Sequence, residues 1–131
     1  MLLDTSGLLC YLDRSDARHA EAVNLLRSAP LRLTHGYVLA ELIPLCRARG
    51  VPRSRALALM RDLLDSPHVD MIWVEQPLHR AAMALLEERP DKTYSLCDAV
   101  SFLLMRQRTI TDALTTDTHF EREGFVRLLR P

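Results

Sequence analysis

The chain has 131 residues, 48% of them hydrophobic, and its 17 basic and 17 acidic side chains cancel to a formal net charge of zero. That length suits one compact domain spanning residues 1–131, and the balanced charge excludes the broad positive field that drives non-specific nucleic-acid binding. No apolar run approaches the ~18 residues of a membrane span and no basic-plus-apolar leader opens the sequence, so a soluble cytoplasmic protein with no membrane partner is expected.

Residues 1–3 form an apolar run ending at Asp4 and read as a very short strand, followed over residues 7–12 by a brief helix that Asp4, Thr5 or Ser6 can cap. Asp16 can cap a helix running to Pro30, and residues 31–33 form a second strand. Thr34 or His35 then starts a helix that reaches about Arg49 and stops at Gly50, with Pro44 expected to kink or shorten it. The next helix, residues 53–64, carries Leu57, Met60 and Leu64 at helical spacing. Residues 69–74 read as a third strand, 78–88 as a helix and 95–107 as the most apolar helix of the chain. Two late strands, near 114–116 and 125–128, flank a short helical turn ended by Gly124. Short apolar runs alternating with helical patterns predict an α/β domain.

Cys10, Cys46 and Cys97 are far apart and set among apolar residues, which fits free core thiols in a reducing compartment. Arg47, Arg49, Arg53, Arg55 and Arg61 make a local basic stretch that is either an RNA-facing patch or a solvated helix face. His19, His35, His68, His79 and His119 share no metal-ligand spacing and are expected at the surface or in caps. The glycine-rich phosphate loops and the serine-hydrolase elbow are absent.

Four acids carry the functional signal. Asp4 and Asp117 follow strand-like runs, the position at which open parallel sheets bind ligands, although helix capping accounts for either one alone. Glu41 is the single ionisable residue between Tyr37 and Cys46, and a carboxylate on so apolar a helix is costly to bury unless paired or bound to metal. Asp98 begins another apolar helix, where Ser95-Leu96-Cys97-Asp98 also matches a capping box. Acids gathered in one place repel one another and call for a cation, and all-oxygen ligation favours magnesium or manganese. Such ions activate water for attack on a phosphodiester.

Three segments resemble the PIN domain, and within it the VapC-type toxins of bacterial toxin–antitoxin pairs: Leu3-Asp4-Thr5-Ser6-Gly7, Tyr94 to Phe102, and Leu114 to Phe120 followed by Gly124-Phe125. Glu41 in Ala40-Glu41-Leu42 matches the family's acid after the second strand. The resemblance implies a three-layer sandwich with a central five-stranded parallel sheet flanked by helices. It makes Asp4 and Asp98 the principal metal ligands, with Glu41 and Asp117 completing the catalytic pocket, and Thr5, Ser6, Ser101 and Thr116 the supporting hydroxyls. The activity it implies is a metal-dependent endoribonuclease using magnesium or manganese, with an RNA substrate, a cognate small antitoxin and a homodimer as partners. Pro44, one turn beyond Glu41, is the departure that bears on Glu41's place in the site.

The rival readings are a non-catalytic PIN-like module that binds RNA or protein and keeps the acids as caps, a receiver-type phospho-acceptor, and a flap-type DNA nuclease. Lys92, the only lysine, precedes Asp98 and Asp117, which disfavours the receiver. Flap-type chains are typically much longer.

Overall fold

The computed structural model describes residues 1–131. The elements run β1 (Leu2–Leu3), α1 (Thr5–Leu12), α2 (His19–Ser28), β2 (Arg32–His35), α3 (Gly36–Ala48), α4 (Arg53–Asp65), β3 (Val69–Ile72), α5 (Gln76–Glu88), α6 (Leu96–Arg108), β4 (Asp112–Leu114), α7 (His119–Arg122) and β5 (Val126–Arg127). The five strands form one parallel sheet in the order β3-β2-β1-β4-β5. The chain thus builds outward from β1 to one edge and returns to build the other, so the order reverses between β1 and β4. Open parallel sheets present their ligand crevice at such a switch point, at the carboxyl ends of the strands.

β1 sits in the middle of the sheet with only two residues, and the pleat explains why two suffice. Successive strand side chains face opposite sides, so Leu2 enters the core with Leu33, Phe102, Ala113 and Phe120, under α5, α6 and α7. Leu3 enters the other core with Leu8, Leu9, Val38, Leu42 and Leu114, under α1 to α4. Both leucines are fully buried, each contributing about 2 kcal/mol of hydrophobic stabilisation. Strand pairing on both flanks, Leu2 with Leu33 and Ala113 and Leu3 with Leu114, closes the ladders.

Three local expectations are corrected. Pro44, expected to kink or shorten α3, does not shorten it, and the helix runs on to Ala48. Proline removes the hydrogen bond to the carbonyl four residues back, and here both Ala40 and Pro44 lie on the exposed face of the helix, so the lost bond falls on the solvent side. In α4 the buried stripe is Ala56, Leu59 and Leu63, while Leu64 is exposed. Two apolar stripes lie one position apart on that helix, and packing selects the one containing the small Ala56. β4 spans Asp112–Leu114, earlier than expected, because its register is set by pairing with Leu2 and Leu3. The three cysteines are free and buried, as expected. No helix is long and apolar enough to cross a membrane.

Candidate metal centre

Asp4 ends β1 between sheet and helix, its backbone N–H donating to the Leu114 carbonyl (3.2 Å) and its own carbonyl accepting from Leu8 (3.0 Å). It occupies the N-cap position of α1, yet its side chain makes no cap hydrogen bond. The carboxylate instead accepts from Thr115 Oγ1 (2.7 Å) and Ser6 Oγ (2.9 Å) on the same oxygen, Oδ2. Thr115 Oγ1 in turn accepts from the Asp117 N–H and Ser6 Oγ from the Thr116 N–H, each at 3.0 Å. The two hydroxyls also lie 3.0 Å from each other, and when each gives its single proton to Asp4 the set suits an ionised carboxylate. Burial opposes this: it pushes the Asp4 pKa up to about 6, against the pull of the Thr115 and Ser6 hydroxyls and with the negative charge of Asp98 adding to the rise.

Asp98 occupies the first turn of α6 and realises its capping box. Ser95 Oγ accepts from the Asp98 N–H and Asp98 Oδ2 accepts from the Ser95 N–H, both at 3.0 Å. The same oxygen lies 3.2 Å from His119 Nδ1, so capping and site geometry share one side chain instead of excluding each other. Asp117 Oδ1 accepts from the His119 backbone N–H (2.9 Å), which orders the entry to α7, while Oδ2 lies 3.3 Å from His119 Nδ1. One donor atom from each of Asp98, Asp117 and His119 falls within 4.8 Å of the others.

Glu41 lies on α3 as an exposed residue, not a buried one, and its side chain reaches across to α1. Its Oε2 accepts from Thr5 Oγ1 at 3.4 Å, on the first residue of α1. Partial burial, followed by the Asp98 charge, raises its pKa. Asp4 and Glu41 therefore both resist ionisation, and Asp98 contributes to both shifts. A divalent cation relieves that cost, and carboxylates joined by one imidazole form a donor set that fits such an ion.

A family model for the PIN domain matches residues 1–126. The chain belongs to the PIN-domain family. Along its whole length this PIN domain is similar to the 23S rRNA-specific endonuclease VapC20 of Mycobacterium tuberculosis, in the strains CDC 1551 and H37Rv. The identity is 30% over 129 residues, 98% of this chain and 97% of the relative. A crystal structure of M. tuberculosis VapC20, described as a sarcin–ricin loop cleaving toxin, superposes with a TM-score of 0.85 at 33% identity, covering 99% of this chain and 98% of that one. The five-stranded parallel PIN-type sandwich agrees with the expectation from sequence.

Within this PIN domain several side chains differ from their expected places. The hydroxyl that reaches Asp4 belongs to Thr115; Thr116 contributes its backbone N–H. Ser101 is fully buried and pairs with His35 Nε2 at 2.8 Å instead of with an acid. The histidines are not simply surface or cap residues: His35 is a buried core group whose pKa burial lowers to about 4, and His119 joins the acidic group. Sequence spacing gave no sign of His119 as a partner because its neighbours come from separate elements; its position two residues after Asp117 was the available hint. Of the arginine stretch, Arg49 pairs with Asp13 and Asp16, and Arg55 donates to the Leu12 carbonyl. Both contacts lie at the far end of α1, roughly 12 Å from Asp4 at 1.5 Å per helical residue. A cleft between α1, α2 and α4, lined by Tyr11, Arg14, His19, Arg27, Arg55 and Asp62, likewise lies at that end.

Proposed function

We propose that this PIN domain is a divalent-metal-dependent endoribonuclease and the toxin of a toxin–antitoxin pair. The observation that carries the reading is the convergence of Asp98, Asp117 and His119 beside buried Asp4, at the carboxyl ends of β1 and β4. Full-length similarity to a 23S rRNA-specific endonuclease supports it and makes ribosomal RNA the first substrate to try. A cognate small antitoxin, a homodimer and a cytoplasmic setting belong to the same reading.

Asp98 and Asp117, grouped with His119, together with Asp4 and Glu41, which lie outside that tight group, would hold the divalent cation, magnesium or manganese, and are the catalytic residues of this reading. The bound cation supplies charge to polarise the scissile phosphodiester and the attacking water. Ser6 and Thr115 fix the Asp4 carboxylate and stabilise its ionised form. The Ser95 N–H does the same for Asp98. Thr5 tethers Glu41 across the gap between α1 and α3. Preorganised acids avoid reorganisation at the moment of reaction.

The test uses the purified chain, freed of any co-purifying protein, with end-labelled total RNA in magnesium or in chelator, beside an Asp98→Asn control. Asparagine keeps an oxygen that accepts from the Ser95 N–H, so α6 stays capped while the charge is lost. Discrete cleavage in magnesium, abolished by chelator and reduced at least ~100-fold in a folded Asp98→Asn variant, is expected. Equal cleavage by wild type and variant would remove Asp98 from the mechanism. Tight RNA binding without cleavage in either metal would favour the non-catalytic module.

A further inference from the structure

We propose that His119 Nδ1 is a ligand of the same divalent cation, giving this chain a mixed nitrogen–oxygen site that prefers manganese to magnesium. The inference rests on the metal-dependent reading above and extends it from the four acids to a residue of different chemistry.

Nδ1 is 3.2 Å from Asp98 Oδ2 and 3.3 Å from Asp117 Oδ2. Three electron-rich atoms brought this close need either a proton or a cation among them. The far side of the ring accommodates the cation. Nε2 lies 3.3 Å from Thr93 Oγ1, which can accept the Nε2 proton and leave the Nδ1 lone pair facing the two carboxylates. Histidine ligands are held in this way, with one ring nitrogen on the metal and the other donating to an oxygen behind it. The imidazole is also fixed in plane, packed against the Tyr94 ring at 5.0 Å with an interplanar angle of 66°.

The backbone reinforces the arrangement. Asp117 Oδ1 is tied to the His119 N–H, which turns Oδ2 toward Nδ1, and Asp98 Oδ2 is steadied by the Ser95 N–H. Three elements thereby aim their donors at one point: the start of α6, the end of the β4 segment and the start of α7. An all-carboxylate pocket is the natural environment of magnesium, which takes oxygen ligands and keeps much of its water. An imidazole nitrogen shifts preference toward transition ions, of which manganese is the one that also suits several carboxylates.

The test follows the metal directly. Metal-stripped protein is titrated with Mn2+ and examined by electron spin-echo envelope modulation, which detects nitrogen bonded to the ion. Magnesium competition then reads the preference. Wild type is expected to show imidazole nitrogen coupling to bound Mn2+. His119→Asp is expected to bind Mn2+ without that coupling and to shift the Mn2+-to-Mg2+ affinity ratio roughly tenfold toward magnesium. Thr93→Val keeps the coupling but weakens Mn2+ binding, because the ring loses the oxygen behind it. Mn2+ bound to wild type without nitrogen coupling, or coupling that survives in His119→Asp, overturns the role of His119 and leaves the acid site standing. Failure of wild type to bind Mn2+ at all overturns both the ligand and the metal-dependent reading beneath it.

Discussion

Gly7 and Leu114 lie so close that a Cβ on Gly7 would fall 2.0 Å from the Leu114 carbonyl oxygen and 2.6 Å from its carbonyl carbon. That contact seats α1 directly on β4, and α1 carries Thr5 and Ser6 to the acids. Gly7→Ala forces backbone away from backbone, and neither can give. We expect a loss of about 3 kcal/mol in urea unfolding, together with a loss of RNA cleavage larger than the unfolded fraction explains. A variant as stable and active as wild type would contradict the seating of α1.

Thr115 and Thr116 are adjacent in sequence but unequal in role. Thr115 is fully buried, donates to Asp4 and accepts from the Asp117 N–H. Thr115→Val removes both bonds while conserving shape. It should cost about 1–3 kcal/mol, since the Asp117 N–H and an Asp4 oxygen lose a partner, and lower cleavage on the order of tenfold or more. Thr116→Val keeps the backbone N–H that meets Ser6 and should change neither quantity appreciably. Parallel kinetics and melting curves of the two variants test the difference.

Burial raises the Asp4 pKa from an ordinary carboxylate value to about 6, which gives stability a definite pH dependence in the absence of metal. Between the unfolded and folded values the unfolded chain gives up its proton first, so stability falls as pH rises toward 6 and stays reduced above it. Asp4→Asn removes that cost. At pH 7 without metal the variant should be more stable than wild type by about 1–2 kcal/mol, and the gain should vanish near pH 4. Added Mn2+ should stabilise wild type and not the variant. Chemical unfolding at the two pH values, with and without metal, decides this, and a variant less stable than wild type at pH 7 would count against the buried charge.

Glu123 shows the opposite sign. Its carboxylate, only 5% exposed, accepts from Arg106 (2.8 Å), Tyr94 (2.9 Å) and Arg89 (3.3 Å), anchoring the end of α7 to α5 and α6. Burial pushes its pKa up, but the three donors outweigh it and the net shift is downward. A lowered acid contributes stability above its unfolded pKa and loses it as pH falls through the folded value. Glu123→Gln should therefore cost about 1.5–3 kcal/mol at pH 7 and little in strong acid. A cost independent of pH would show that packing, not charge, makes the contact.

The fold was legible because its signals are local. Alternating short apolar runs and helical stretches, the Gly50 and Gly124 stops and the Ser95–Asp98 box each identify an element without reference to any other. The errors arose where a distant partner decides. The Thr115-Thr116 pair looks like strand, yet pairing of β4 with Leu2 and Leu3 places Thr115 beyond the ladder, free to turn to Asp4. Leu57, Met60 and Leu64 are spaced as well as Ala56, Leu59 and Leu63, and only the neighbouring surface chooses between them. Among the acids, Asp98 and Asp117 stand in distinctive local sequence. His119 shares the segment of Asp117, but its role comes from facing Asp98 across 21 residues, which local sequence does not show.

The central position of β1 also sets the order in which this protein becomes active. Asp4 precedes its partner Thr115 and the strand that completes its ladder by some 110 residues, an interval of roughly 5–20 s at ordinary rates of synthesis. A growing chain thus holds Asp4, Glu41 and, later, Asp98 with no assembled pocket. Until β4 is made, Asp4 therefore lacks both the Thr115 hydroxyl and one of the two strand neighbours of β1, so the pocket is completed only late in synthesis.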